Sequence, residues 1–247
     1  MSEAGAGDSF VSHLLELRAR LLRAVLAVLL CFCALLPFSN QLYTWLVQPL
    51  VAVLPSGGHV IAVEVAAGFT VPMRLAFFAA LMLAMPMVLY QLWAFVAPGL
   101  YQHEKRLARP LLVAATFLFY AGCAFAWFLM LPMMFAYFAA TTPEGVQWMP
   151  DMGHILDFVM VILLGGGVSF EVPVAVMIAV ILGWVKPAQL SAWRGYVIVA
   201  IFIIAAIITP PDGLTQIMLA LPMCALYELG LLFARILARR ETPAAAS

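Results

Sequence analysis

Charge is the first thing this chain is short of. Only 10% of its 247 residues are charged, 12 Lys+Arg against 12 Asp+Glu, while 66% are hydrophobic. A soluble domain carries about 25% charged residues, so this composition cannot furnish a water-facing surface. Catalytic signatures are missing too. There is no HExxH, no GxSxG and no phosphate-binding glycine loop, and His13, His59, His103 and His154 are scattered. An enzyme has nothing to start from. Cys31, Cys33, Cys123 and Cys224 lie inside apolar runs and form no CxxC pair, so they read as packing residues, and no metal or other cofactor is expected. The chain also lacks an internal repeat, which weakens a transporter built on inverted halves.

What is present are apolar runs of about 18 residues or more, each long enough to cross a hydrocarbon core of about 30 Å. They predict an all-α, polytopic membrane protein. Its six spans lie at roughly 22–38, 71–97, 110–140, 155–182, 195–209 and 214–237, in one domain with a disordered tail at 241–247. The apolar stretch 24–36 is followed by no small-residue cleavage pattern and reads as a retained anchor. Eleven of the twelve basic residues fall at one set of span ends, leaving Arg74 opposite with Glu64, Glu144, Asp151 and Asp212. The positive-inside rule then places both termini in the cytoplasm.

Span lengths differ. Residues 111–140 would make a helix of about 45 Å, which must tilt, bend at Pro132 or project from the bilayer. The continuously apolar part of the fifth span, 196–208, gives only about 20 Å. Such a helix is either shielded by neighbours or thins the bilayer around it. After the first span, Leu42, Trp45, Leu46 and Leu50 fall at i, i+3, i+4 and i+8, the stripe of an interfacial helix. Residues 55–58 read as a turn, and 141–154 as a polar connection punctuated by Pro143 and Pro150.

Chemistry can sit in three places. The segment 9–21 is amphipathic, with Ser12 as a candidate cap, and carries Glu16 four residues before Arg20. Glu16 is either half of an i,i+4 ion pair or an acid offered to a ligand. Glu104 sits in an otherwise basic loop beside Lys105 and Arg106, with the same two readings. Two such acids on one face could each pair with a guanidinium group. Inside the membrane, Glu171 follows Gly165-Gly166-Gly167 and precedes Pro173. An ionisable group at that depth should face a cavity or a partner, and the glycines and proline should loosen the helix. Gln91 and Gln216 are further intramembrane polar groups. Glu228, in the last span, is expected to seek the surface or pair with an arginine.

The stretches SHLLELRARL, LYQLWAFVAPGLYQHEKR, GVSFEVPVAV and IITPPDGLTQIMLALPMCALYE resemble the TatC family, in that order and over residues 10–237. The resemblance implies a concave, glove-like bundle of six spans in the bacterial inner membrane. It implies a receptor for twin-arginine signal peptides that joins TatA and TatB, and further copies of itself, to export folded proteins on the proton-motive force. Nucleic acid has no part in it. Carried over by motif, Glu16, Glu104, Arg18 and Phe95 would contact the signal peptide, and Glu171, Gln216 and Gln91 would face the cavity or partner helices. Pro49 and Asp212 fall on further positions important in the family, and the short fifth span fits a TatB docking surface. Arg74 stands where relatives often carry lysine. The alternative from another class is a proton-coupled small-solute transporter using Glu171.

Overall fold

The computed structural model describes residues 4–51, 60–96, 105–143, 145–146, 149–210 and 212–240. Among them the helices run in order as α1 (Ala4–Leu35), α2 (Ser39–Val51), α3 (Ala67–Val96), α4 (Lys105–Phe125), α5 (Leu131–Thr141), α6 (Met152–Ser169), α7 (Val172–Ile181), α8 (Pro187–Ala192), α9 (Arg194–Ile208) and α10 (Gly213–Arg240). Five stretches, Leu14–Pro49, Ala67–Phe95, Pro110–Thr141, Met152–Ile181 and Gly213–Ile236, are long and apolar enough to cross a membrane. The helix α9 is a shorter apolar one. Each of these six helical stretches overlaps, in order, one of the six apolar runs of the sequence. Outward-facing leucine, isoleucine and phenylalanine are abundant, with Phe117 72% and Ile207 78% exposed, as expected where lipid is the solvent.

The chain divides into two compact units, Met1–Leu46 with Glu64–Thr116 and Val47–Val63 with Phe117–Ser247. In the first, α1 packs along α3. No proline or glycine interrupts residues 8–36, so α1 runs 32 residues from Ala4, about 48 Å. Ser12 therefore lies two turns inside the helix and does not cap it. Pro37 brings α1 to a close through a single 3-10 turn, Leu36–Phe38. The Phe32 and Phe77 rings meet edge to face at 5.7 Å. Ala76, Ala80 and Ala84, one turn apart on α3, are all buried.

In the second unit, glycine sets the packing. A Cβ on Gly122 would collide with the Gly166 carbonyl oxygen, and one on Gly166 would come within 2.8 Å of the Ala126 Cβ. On Gly165 it would lie 2.6 Å from Ile208 Cγ2, and on Gly167 2.7 Å from Phe119 Cε2. Helix α6 passes unbroken through all three glycines, each buried. The expected loosening is thus corrected. Here the missing side chains let helices approach closely, and the helix yields only at Phe170–Glu171. Pro173, at the start of α7, requires that break, because its ring would clash with the preceding turn of a continuous helix. The Ser169 hydroxyl donates to the Gly165 carbonyl at 2.5 Å, a bond that also favours bending. On the long third span, α4 reaches α5 and Pro132 through a π-turn, Ala126–Met130, a local adjustment to the missing proline N–H. Last, α10 packs along α7, with Pro173 against Gly230.

The connection after α5 is held by Asp151. Its carboxylate accepts from the Gly153 and His154 backbones at 2.9 and 3.2 Å, capping α6, and from the Val63 N–H at 2.9 Å. The Val63 bond is the main reason the acid is held below its ordinary value of 3.8. Ile61 exchanges backbone bonds with Pro150 and Met152 at 3.1 and 2.8 Å. The 55–58 turn lies outside the described residues.

Candidate functional site

A groove of about 140 Å³ lies between α1 and α3, lined by Leu17, Arg20, Leu21 and Ala24 on one side and Val88, Gln91, Leu92 and Phe95 on the other. Each set follows i, i+3, i+4 and i+7, the spacing that puts side chains on one helical face. Leu21 and Leu92 are 61% and 57% exposed, so the groove opens sideways along its length. Its walls are apolar apart from Gln91 and the Arg20 head. Gln91 is 5% exposed and its Oε1 has no hydrogen-bond partner among the described residues. Its Nε2 lies 3.9 Å from Met87 Sδ, a weak acceptor.

One turn before Arg20 stands Glu16. Arg20 donates from Nε at 3.0 Å and from Nη2 at 2.5 Å, both to Glu16 Oε1. The internal ion pair is therefore formed, with the two side chains 20% and 36% exposed for arginine and glutamate. At this exposure the pair is worth about 0.4–1 kcal/mol. So weak a bond leaves the carboxylate available to a better partner. Arg18, two residues on, is exposed on α1. Among the expected peptide contacts, the structure brings Glu16 and Phe95 to the same α1–α3 pair and adds Gln91 to them. Glu104 falls outside the described residues.

The remaining candidates belong to the second unit or to α2. Glu171 occupies the N-cap position of α7 without capping it; its Oε1 is buried with no partner among the described residues. Gln216, on α10, donates from Nε2 to the Phe202 carbonyl of α9 at 3.0 Å, tying the short helix to its neighbour. Asp212 caps α10, accepting from the Thr215 backbone at 2.8 Å and from its hydroxyl at 2.6 Å. Pro49 sits inside α2 and is exposed. Trp45, also on α2, is 70% exposed, which suits an interfacial helix. Glu228 pairs with Arg194 at 2.6 Å, as expected of it. On α9, six of fifteen residues are exposed large apolar side chains, while Ile201 and Ala205 are buried. The helix is thus sheltered on one side only.

Two features escaped the sequence reading. The groove walls were legible only as two separate helical stripes, and nothing local says that 17–24 faces 88–95. The clamp of α8 onto α10 was also missed: Tyr227 Oη donates to the Leu190 carbonyl at 2.8 Å, and Arg235 Nη2 to Ser191 Oγ at 2.6 Å.

Comparison with known proteins places these features in a family. The profile of the Sec-independent protein translocase protein (TatC) matches residues 12–222. The TatC protein of Azotobacter chroococcum is 50% identical over 95% of this chain and 92% of its own length. That of Escherichia coli is 45% identical over 91% and 87%. The crystal structure described as the twin arginine translocase receptor TatC superposes with a TM-score of 0.80 at 30% identity, covering 92% of this chain and 100% of that one. A profile matching most of the chain, relatives near half identity and a shared fold agree: this chain belongs to the TatC family of Sec-independent protein translocase components, multi-pass membrane proteins that are not enzymes.

Proposed function

We propose that this chain is the receptor subunit of a twin-arginine translocase in the bacterial cytoplasmic membrane, with both termini inside. Glu16 and Glu104 each accept one guanidinium group of a twin-arginine signal peptide. Arg18 and Phe95 complete the contact, and the apolar segment that follows the arginines enters along the α1–α3 groove. The observation that carries this reading is the placement of Glu16: a weakly held carboxylate one turn below an apolar groove that opens sideways. A doubly cationic leader followed by an apolar run matches those two surfaces in order, charge first. Arginine suits such a site better than lysine because its planar fork can give two parallel bonds to one carboxylate.

Photocrosslinking from positions 16 and 104 to a twin-arginine precursor in native membranes tests the reading. Adducts should form at both positions and be lost when the precursor's arginine pair is changed to lysine. Replacing both acids by glutamine should abolish peptide binding. Unchanged capture by the doubly substituted chain would remove the assignment.

The single-span partners TatA and TatB complete the complex, which draws on the proton-motive force. The one-sided exposure of α9 supports it as the surface where a TatB helix docks. The buried Oε1 of Glu171, without a partner among the described residues, favours a second role within the same complex, meeting a polar group of a partner helix. Glu171→Ala should then impair export while leaving peptide binding intact. The solute-carrier reading of Glu171 predicts uptake by the chain alone in liposomes, a separate measurement.

A further inference from the structure

The carboxylate offered to the peptide is not vacant at rest. Arg20 already holds it with two donors from the same helix, Nε and Nη2 on a single oxygen. The same side chain also lines the groove beside Leu17 and Leu21. One residue therefore touches both surfaces that the proposed ligand would use. We infer that Arg20 is an internal competitor: its guanidinium occupies Glu16 as a stand-in for a signal arginine, and peptide binding is an exchange of one guanidinium for another. This rests on the receptor reading above and deepens it by naming a residue that sets the binding threshold.

Chemistry supports exchange over simple addition. Arg20 places both its donors on Glu16 Oε1, whereas a parallel two-bond fork uses both oxygens. An incoming arginine that takes both must displace Arg20, because two like charges on one carboxylate repel. The displaced side chain has somewhere to go. The side chain is already 20% exposed, and its stem can remain on the groove wall while the head turns to water. A peptide bearing a single weak cation gains little over a competitor tethered four residues away. One that also engages a second acid does gain. The internal pair thus filters by total strength of engagement, without any contact that reads the ligand's shape.

The test uses the full chain in lipid nanodiscs and a fluorescent twin-arginine signal peptide. Arg20→Met keeps a groove-lining stem and removes the competing charge. It should tighten binding about two- to fivefold, the loss of an exposed pair worth up to roughly 1 kcal/mol. Arg20→Lys retains a cation and should stay within twofold of the parent. The decisive arm is the double substitution with Glu16→Gln, where Arg20→Met should have no effect, since there is no carboxylate left to compete for. A gain that persists in the Glu16→Gln background would mean plain charge repulsion and would overturn the inference. So would an Arg20→Met chain that binds equally or more weakly, which would make Arg20 a positioning residue for Glu16. Failure of the receptor reading looks different: Glu16→Gln alone would leave peptide affinity unchanged.

Discussion

In the second unit, four polar side chains of α10 end on neighbouring helices. Gln216 reaches the Phe202 carbonyl, Tyr227 the Leu190 carbonyl, Arg235 the Ser191 hydroxyl and Glu228 the Arg194 guanidinium. In the α1–α3 unit, Glu16 and Gln91 turn to their own helix. Among the described residues Glu16 has Arg20 and Gln91 a distant Met87 sulfur, each four residues away. Cross-helix bonds hold a tertiary arrangement together and cannot be surrendered without cost. Bonds within one helix can be exchanged for a ligand's groups while the helix stays as it is. The two units also differ in which small residues let helices meet, glycine notches in one and the Ala76, Ala80 and Ala84 stripe of α3 in the other. The α10 bonds hold one unit in place, while Glu16 and Gln91 in the other can change partners without moving their helices.

The strongest way to break this contrast is through the glycines. Gly122→Val or Gly166→Val should cost about 1–3 kcal/mol or more by overpacking, read as a fallen midpoint of thermal unfolding in detergent. Gly68→Ala, whose Cβ would meet open space in the other unit, should change stability by less than about 0.5 kcal/mol. Similar losses at both sites would remove the distinction.

Next in size is the binding site itself. Glu16→Gln should weaken twin-arginine peptide binding by roughly tenfold or more, the scale of a charge-assisted bond, with the unfolding midpoint almost unmoved. Asp212→Ala should behave in reverse, lowering stability by about 0.5–2 kcal/mol through the lost α10 cap while peptide affinity holds. If Asp212→Ala lost peptide binding without losing stability, the cap would not be its role.

A subtler probe is acid. The Asp151 carboxyl is held below 3.8, chiefly by the Val63 N–H. A depressed value means the folded state favours the ionised form, so its contribution is present above the unfolded value and fades as pH falls through the folded one. The protection of the Val63 amide, its exchange rate relative to the intrinsic rate at the same pH, should therefore fall only below about pH 4, and Asp151→Asn should blunt that dependence. Smallest of all, Glu228→Gln should cost less than about 1 kcal/mol, because its pair with Arg194 is half-exposed. Its effect should shrink further in high salt, measured by the same thermal midpoint.

Much of the fold was legible in the residues. Hydropathy marked the spans, and the departures are physical ones. The first helix begins at Ala4, ahead of its apolar run, because nothing between residues 8 and 36 stops a helix. The fourth span breaks at Phe170–Glu171 because Pro173 cannot accept a continuous turn before it. Glycine is the clearest misreading: Gly165-Gly166-Gly167 looked like a flexible stretch, yet each is filled by a neighbour from elsewhere in the chain. Of the site, Glu16, Gln91 and Phe95 stood out by residue type, while their shared groove did not. Arg20 was visible only as an ion-pair partner.

Composition and hydropathy by themselves determined that this is a membrane protein, how many spans it has, their order and the unusual shortness of the fifth. Those properties are local, since the bilayer judges each segment on its own length and polarity. Only the tertiary structure decided which glycines are notches and that the stripe at 17–24 faces the one at 88–95. Such choices depend on register between segments far apart in the chain, and on which of several reachable partners lies within about 3 Å.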